Sequence, residues 1–326
     1  MEMIAPGTAR ALPVTEPAHV DAARRAVIRG AVAAGAGEPL LARLAVVAQE
    51  MAHNLVRHAG GGELYYQSDA AYLTLLAIDR GPGMANTAQC MGDHYSTIGT
   101  LGVGLGSIKR MSDQFDLYSL PGQGTVVLAR FEMPAGVPAG LTYGALCTPY
   151  PGETVCGDAW VVHGERVLVC DGLGHGQHAQ QASQRAREVF LGQGRHLPLE
   201  TAMEQLHRAL AATRGGAAAI AEVQAGAGQV LFCGVGNIAG MLYGEKSRGL
   251  VSCNGTVGYR VGRINTYSYP WDRHTLLIMT SDGINSRLDL SPYPGLRLKH
   301  PAVIAGVIHR DFRRLNDDAT VIVART

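Results

Sequence analysis

Four aspartates in the second half of the chain stand beside apolar runs, where each could bring a carboxylate to the end of a strand. Asp158 follows "VCG", Asp171 ends "RVLVC" before Gly172, Asp282 follows "LLIMTS" before Gly283, and Asp317 lies in "NDDAT" ahead of the last apolar run. One Asp-Gly pair alone is a common turn dipeptide. Four such carboxylates gathered at one end of a domain would repel one another unless cations neutralised them. Carboxylates, glycine carbonyls and waters are hard oxygen ligands, which suit magnesium or manganese rather than zinc. In "VLVCDGLGHGQHAQQAS" one carboxylate, Asp171, is followed by Gly172, Gly174 and Gly176 and by two histidines, so the stretch reads as a phosphate cradle, a histidine metal site or an aspartate metal site whose glycines make room. His175 and His178 read either as polar loop residues leading into a helix, the favoured reading, or as proton donors to a leaving alkoxide.

The first half carries a different set. Glu50 and Asn54 stand four residues apart in "VVAQEMAHNLVRHAG", which puts them on one helical face, with Val46, Val47, Met51 and Leu55 expected mainly on the apolar side. An amide oxygen there can hold magnesium while the acid orients or deprotonates a hydroxyl. "AIDRGPGM" then places Asp79 after a strand, followed by Gly81 and Gly83. In "GTLGVGLGSIKR", Gly99, Gly102, Gly104 and Gly106 lead into a helix whose N-terminal amides would attract phosphate. Thr125 in "GQGT" closes the series.

The positioning elements follow from periodicity. Residues 19–35 and 39–60 have helical spacing, the second run ending at Gly60. "ELYYQSD" and "AYLTLLAID" read as strands, "GVGLGSIKRMSD" as a helix, and "QFDLYSL" and "TVVLARFEM" as a hairpin about "PGQG". The second half offers strands in "LTYGALCTPY", "DAWVVHG", "RVLVCDG", "AAAIAEVQ", "QVLFCGVG", "AGMLYGE", "HTLLIMTSDG" and "ATVIVART", with helices near 177–191, 199–212 and 301–312. The class is α+β. "MPAGVPAG" reads as a linker, giving domains of 1–133 and 141–326 about a 134–140 connection.

Composition excludes several roles. The 28 basic and 27 acidic side chains leave a net charge of +1, with no basic stripe for nucleic acid. The six cysteines show no C-x-x-C spacing and read as core residues of a reducing compartment. The N-terminus has no signal-peptide pattern, and no apolar run approaches the 18 residues or so of a membrane span. The expectation is a soluble, cytoplasmic protein, not bound to membrane.

The series "CGD…VLVCDGLGHG…GVGN…IMTSDGI…NDDATVIV" resembles the metal-dependent serine/threonine phosphatases of the type-2C (PPM) superfamily, in particular their SpoIIE-like and RsbX-like branch. The resemblance covers residues 141–326 and implies an αββα sandwich with a dinuclear manganese or magnesium centre. Asp171 would bridge both ions, aided by the Gly172 carbonyl, while Asp158, Asp282 and Asp317 complete the cluster and Asp318 occupies the adjacent place. Over residues 1–133, "E-x-x-x-N", "D-x-G-x-G" and "G-x-G-x-G" resemble the boxes of the GHKL ATPases and kinases, most closely the RsbT-like serine kinases. That implies a Bergerat α/β sandwich binding ATP with magnesium. Asn54 would ligate magnesium, Asp79 would contact the adenine amine, and Glu50 would be the general base. Gly102, Gly104 and Gly106 would lie at the phosphates, with Gly81, Gly83, Gly99 and Thr125 lining the same site. The two resemblances together imply a bifunctional regulator of a partner-switching pathway. It would phosphorylate a STAS-domain anti-sigma antagonist or stressosome-type protein and dephosphorylate such proteins. The alternative is a phosphatase whose first domain only binds a sigma factor or STAS protein in a nucleotide-dependent way.

Overall fold

Two apolar stripes at helical spacing begin the chain's first layer. The computed structural model describes residues 7–87, 104–133 and 140–326. The chain divides into two compact units, Met1–Val137 and Pro138–Thr326. In the first unit, α1 spans Pro17–Ala33 and α2 spans Glu38–Ala59. Each helix has proline in its first turn, where the missing N–H costs nothing. Helix α2 stops at Gly60, whose φ of 73° is left-handed, and the Gly61 amide donates to the Leu55 carbonyl at 2.8 Å. Leu44, Val47, Ala48, Met51 and Leu55 form the buried stripe of α2. Val46, expected on the apolar side, is instead 38% exposed. It lies one turn before Glu50, so it shares the polar face rather than the stripe centred on Val47.

Five antiparallel strands complete this unit. They are β1 (Arg10–Val14), β2 (Gly62–Ser68), β3 (Tyr72–Ile78), β4 (Gln114–Leu120) and β5 (Gly124–Glu132), in the order β1-β2-β3-β5-β4. Helix α3 (Gly104–Met111) precedes β4. Leu64, Leu73, Leu75, Ala77 and Phe131 of the sheet share one core with Val27, Leu44, Met51, Leu55 and Ile108 of the helices. This is the α/β sandwich expected for residues 1–133. The edge strand β1 was not expected, because "RALPV" carries only a short, proline-interrupted apolar pattern.

The second unit is two sheets with helices outside. The first sheet has the order β13-β10-β9-β8-β7, with β16 also on β10. Its long strands are β7 (Asp158–His163), β8 (Arg166–Gly172), β9 (Gly216–Gln224) and β10 (Gln229–Val235). Two short strands, β13 (Ser252–Cys253) and β16 (Tyr267–Pro270), join its edge. The second sheet, β12-β11-β17-β18-β6, uses β6 (Thr142–Thr148), β11 (Ala239–Tyr243), β12 (Ser247–Leu250), β17 (Leu276–Thr280) and β18 (Ala319–Arg325). A small hairpin, β14 (Gly255–Thr256) with β15 (Arg260–Val261), stands apart. Helices α4 (Gln177–Gly192) and α5 (Leu199–Leu210) bury Ala182, Ala186, Phe190 and Leu206 against Leu168, Ile220 and Cys233.

Helix α6 (Pro301–Phe312) covers β6 and β18 of the other sheet. Gly144 permits this, since a Cβ there would come within 2.1 Å of the Ala302 backbone. The result is the αββα order of layers. Among the described residues no helix is long and apolar enough to cross a membrane, and Cys147, Cys156, Cys170, Cys233 and Cys253 are free thiols.

His309 ties α6 to β6 through a 2.8 Å hydrogen bond between its Nε2 and Thr148 Oγ1. Burial, with the nearby Arg313 charge, pushes its pKa down to about 3. The unfolded chain therefore takes up a proton on His309 that the folded chain refuses. Its contribution is fully present above about pH 6.5 and is lost as pH falls toward 3. Melting temperatures of the wild type and His309→Gln should converge as pH drops from 7 to 5, because only the wild type can titrate there. A constant gap across that range would remove His309 as a source of acid sensitivity.

Candidate active sites

Helix α2 and the start of α3 build the first site. Glu50 and Asn54 are both half-buried, one turn apart on α2. Gly104, the first residue of α3, faces them: a Cβ there would lie 3.2 Å from Glu50 Oε2 and 3.4 Å from Asn54 Oδ1. The helix N-terminus, an acid and an amide thus share one small space, and a side chain at Gly104 would fill it. Gly106 is buried within α3. Gly99 and Gly102 lie outside the described residues.

Asp79 sits where β3 ends and is held by the hairpin of β4 and β5. Its Oδ1 accepts the Gly81 amide at 2.8 Å and the Thr125 amide at 3.1 Å, while its own amide donates to the Thr125 carbonyl at 3.0 Å. Thr125 Oγ1 is 2.9 Å from Ser119 Oγ, and Ser119 Oγ accepts the Met84 amide at 2.8 Å. Gly83 has a φ of 68°, and a Cβ on it would meet the Leu120 carbonyl at 2.0 Å. The Asp79 box and the Thr125 box are therefore one assembly. Ser119 is part of it, although its place in "LYSL" carries no chemical signal.

The second site gathers at one end of the second unit's sandwich. Asp158 and Asp171 are directly opposite each other in the β7–β8 ladder. Like charges so placed are destabilising. Asp158 is fully buried, and its Oδ1 has no hydrogen-bond partner. Its Oδ2 accepts the Ser281 hydroxyl at 2.7 Å, and Ser281 Oγ in turn accepts the Thr320 amide at 2.9 Å. Asp282, next to Ser281, accepts from Asn237 Nδ2 at 2.6 Å. Asp318 is the more deeply buried member of the "DD" pair, at 2% exposure. Its Oδ1 accepts the Tyr150 amide at 2.8 Å, and its Oδ2 has no partner. Asp317 accepts the Asp318 amide at 2.9 Å.

The acids feel one another. Burial raises the Asp171 carboxyl well above its ordinary range, with Asp158, Asp282, Asp317 and Asp318 adding to the rise. Burial pushes Asp158 up to about 7, against the pull of the Ser281 hydroxyl and with a push from Asp318. Asp317 and Asp318 are raised by burial as well. A divalent cation reverses this logic.

The residues present fit such ions. Two buried carboxylate oxygens lack partners, and Gly157 is a cradle: a Cβ there would lie 2.6 Å from Asp318 Oδ2. Among the described residues no three acidic, histidine or cysteine side chains close on a single point. Ions that keep several waters need only one or two carboxylates each, so the looser grouping suits magnesium or manganese. Gly172 abuts α4, where a Cβ would strike the Ala179 carbonyl at 2.1 Å, and Gly174 and Gly176 have φ of 81° and 76°. His175 is not a bare loop residue. It stacks on Tyr150 with ring centroids 4.5 Å apart, and its Nδ1 is bonded to Glu153. His178 is exposed.

Residues 14–131 match the histidine kinase-like ATPase domain. The serine/threonine-protein kinase RsbT of Bacillus subtilis (strain 168) is 37% identical over 92 residues, which make up 27% of this chain and 69% of RsbT. The chain belongs to the RsbT family. This RsbT-family chain is also similar to a solved structure from a bacterial stressosome, described as a modular system adapted to control secondary messenger signalling. That match has 28% identity and a TM-score of 0.52, covering 57% of this chain and 99% of the other. RsbX in complex with magnesium is similar at 20% identity and a TM-score of 0.46, covering 56% of this chain and 92% of the other.

Three polar residues of the RsbT-family chain were not singled out for a role in sequence and lie within these sites. Asn237 and Ser281 sit inside "GVGN" and "TSDG", so their motifs were visible but their roles were not. Ser119 gave no signal. Asp171→Asn separates repulsion from metal binding. Without divalent ions it should melt at or above the wild-type temperature, because one of two opposed charges is gone. Manganese should raise the wild-type melting temperature and leave the variant unmoved. A large ion-free loss of stability in Asp171→Asn would show that the carboxylate holds the fold rather than a cation.

Proposed function

We propose that the chain is a bifunctional partner-switching regulator acting in the cytoplasm. Its second unit hydrolyses phosphoserine or phosphothreonine on a STAS-domain or stressosome-type protein, and its first unit phosphorylates such a protein with magnesium-ATP. The carrying observation is the buried Asp158 standing opposite Asp171, with an oxygen left unpartnered. Among the described residues no positive side chain is paired with either carboxylate, so divalent cations, manganese or magnesium, are its natural complement. When bound, two such ions would supply a water of lowered pKa and offset the charge of the phosphoryl group.

The chain's own residues do the positioning. Asp171, with Gly172 beside it, offers the central carboxylate, and Asp158, Asp282 and Asp317 surround it. Asp318 joins them by its burial. Ser281 and Asn237 fix the rotamers of Asp158 and Asp282 through short hydrogen bonds.

For the first unit, Glu50, Asn54 and the α3 N-terminus at Gly104 favour a nucleotide site in which the phosphates meet the helix amides and Asn54 meets the magnesium. Glu50 would take the proton of the incoming hydroxyl. Asp79 would read the adenine, with Gly81, Gly83 and Thr125 shaping its surroundings and Gly99, Gly102 and Gly106 belonging to the phosphate loop. A sigma factor is a further candidate partner of this unit.

The experiment follows labelled phosphate from ATP onto the STAS-domain proteins of the source, and its later release. Asn54→Ala should lose tight magnesium-ATP binding and transfer together. Glu50→Gln should keep ATP affinity and lose transfer by about 10²–10⁴-fold. Tight ATP binding by the wild type with no transfer to any STAS protein would favour a nucleotide-dependent binding module instead.

A further inference from the structure

The acidic site has a charge problem that its carboxylates and two divalent ions do not solve. Asp158, Asp171, Asp282, Asp317 and Asp318 together outweigh two divalent cations, and a phosphorylated side chain brings about −1.5 to −2 more. A cation from the chain is needed where the phosphoryl group docks. Arg313 turns its Nη2 to the Pro149 carbonyl at 3.2 Å, and its Nε is buried.

Arg214 is placed differently. The β8–β9 ladder pairs Asp171 with Ala217 and Gly172 with Gly216. It continues one step beyond, where the Leu173 amide donates to the Gly215 carbonyl at 2.9 Å. The next step puts Arg214 across from Gly174. The side chain follows this register, since a Cβ built on Gly174 would lie 3.5 Å from Arg214 Nη1. The guanidinium therefore rests against the glycine loop that leaves Asp171. Its backbone is pinned on both sides. Thr213 donates its amide and its hydroxyl to the Leu210 carbonyl, at 2.9 and 2.7 Å, and its Oγ1 accepts the Gly215 amide at 3.0 Å. Gly215, at a φ of 73°, packs so tightly on Val257 that a Cβ would meet its carbonyl at 2.4 Å. Among the described residues the exposed Arg214 has no hydrogen-bonded or ionic partner.

We infer that Arg214 is the phosphoryl-binding side chain of the acidic site, its planar fork holding two oxygens of the phosphomonoester while Gly174 leaves room for it. This rests on the phosphatase reading and adds the chain's own anion contact. In the reaction a water oxygen bonds to phosphorus, the bond from phosphorus to the seryl oxygen breaks, and that oxygen leaves with a proton from the water. Arg214 takes no proton. It orients the three phosphoryl oxygens and offsets the charge they carry in the transition state.

The test uses the full chain loaded with manganese, a phosphoserine peptide as substrate and inorganic phosphate as probe. Arg214→Ala should lower kcat/KM by about 10²-fold, as for loss of one transition-state donor. It should also weaken inhibition by phosphate by roughly tenfold or more at unchanged manganese affinity. Arg214→Lys should restore part of the phosphate affinity, since the charge returns without the fork. Arg248→Ala, on the exposed strand β12, should match the wild type. Equal phosphate inhibition in wild type and Arg214→Ala would overturn the assignment. If the wild type hydrolyses no phosphoserine, the phosphatase reading fails by itself. Calorimetric titration of phosphate into the manganese-loaded wild type and Arg214→Ala then still decides the arginine, with equal affinities counting against it.

Discussion

Asp158 and Asp171 face each other across adjacent antiparallel strands, one of them without any exposure to solvent. That single repulsion organises the end of the second unit. The neighbouring hydrogen bonds are aimed at it: Ser281 holds one oxygen of Asp158, Asn237 holds Asp282, and the Tyr150 amide holds Asp318. None of these groups carries a positive charge. They orient carboxylates without neutralising them, as a cation site requires and a structural acid pair does not. The cost is borne by the two sheets, whose Val, Ile and Ala ladders fix the register that brings the acids together.

Close backbone approach is the second constraint, and it recurs in both units. In the first, Gly104 lets the start of α3 meet Glu50 and Asn54, and Gly83 lets the Asp79 loop lie on the Leu120 carbonyl. In the second, Gly157 leaves space for the Asp318 carboxylate, and Gly172 lets α4 settle on β8. A methyl group at any of these positions would be felt within the site rather than beside it. Such glycines set distances between chemical groups, whereas glycines in open turns only permit the bend.

Much of this could be read from the sequence because the signals were local. Helix α2 ended at Gly60 as its left-handed cap demanded, and the long strands of both units followed runs of alternating or continuous apolar residues. The short strands β12 to β15 were invisible, since "SRGL", "SC", "GT" and "RV" have no apolar periodicity. Val46 was misplaced because it shares the face of Glu50, which a count of apolar residues does not reveal. The acidic residues were legible as types beside apolar runs. Their register was not, because ladder pairing depends on where the β7–β8 turn falls. Ser119 and Ser281 were hidden for a related reason: a buried serine earns its role from partners distant in the chain.

On the proposed reading, an RsbT-family domain and an acid-lined sandwich on one chain would put phosphate addition and phosphate removal within a single polypeptide. The account stands on the acids of the second unit being a cation site rather than a strained core. Hydrolysis of a phosphoserine protein by the full chain, before and after exhaustive chelation and then with manganese restored, measures this directly. The account predicts that activity disappears with the chelator and returns with manganese. Full activity in the chelated protein would contradict it.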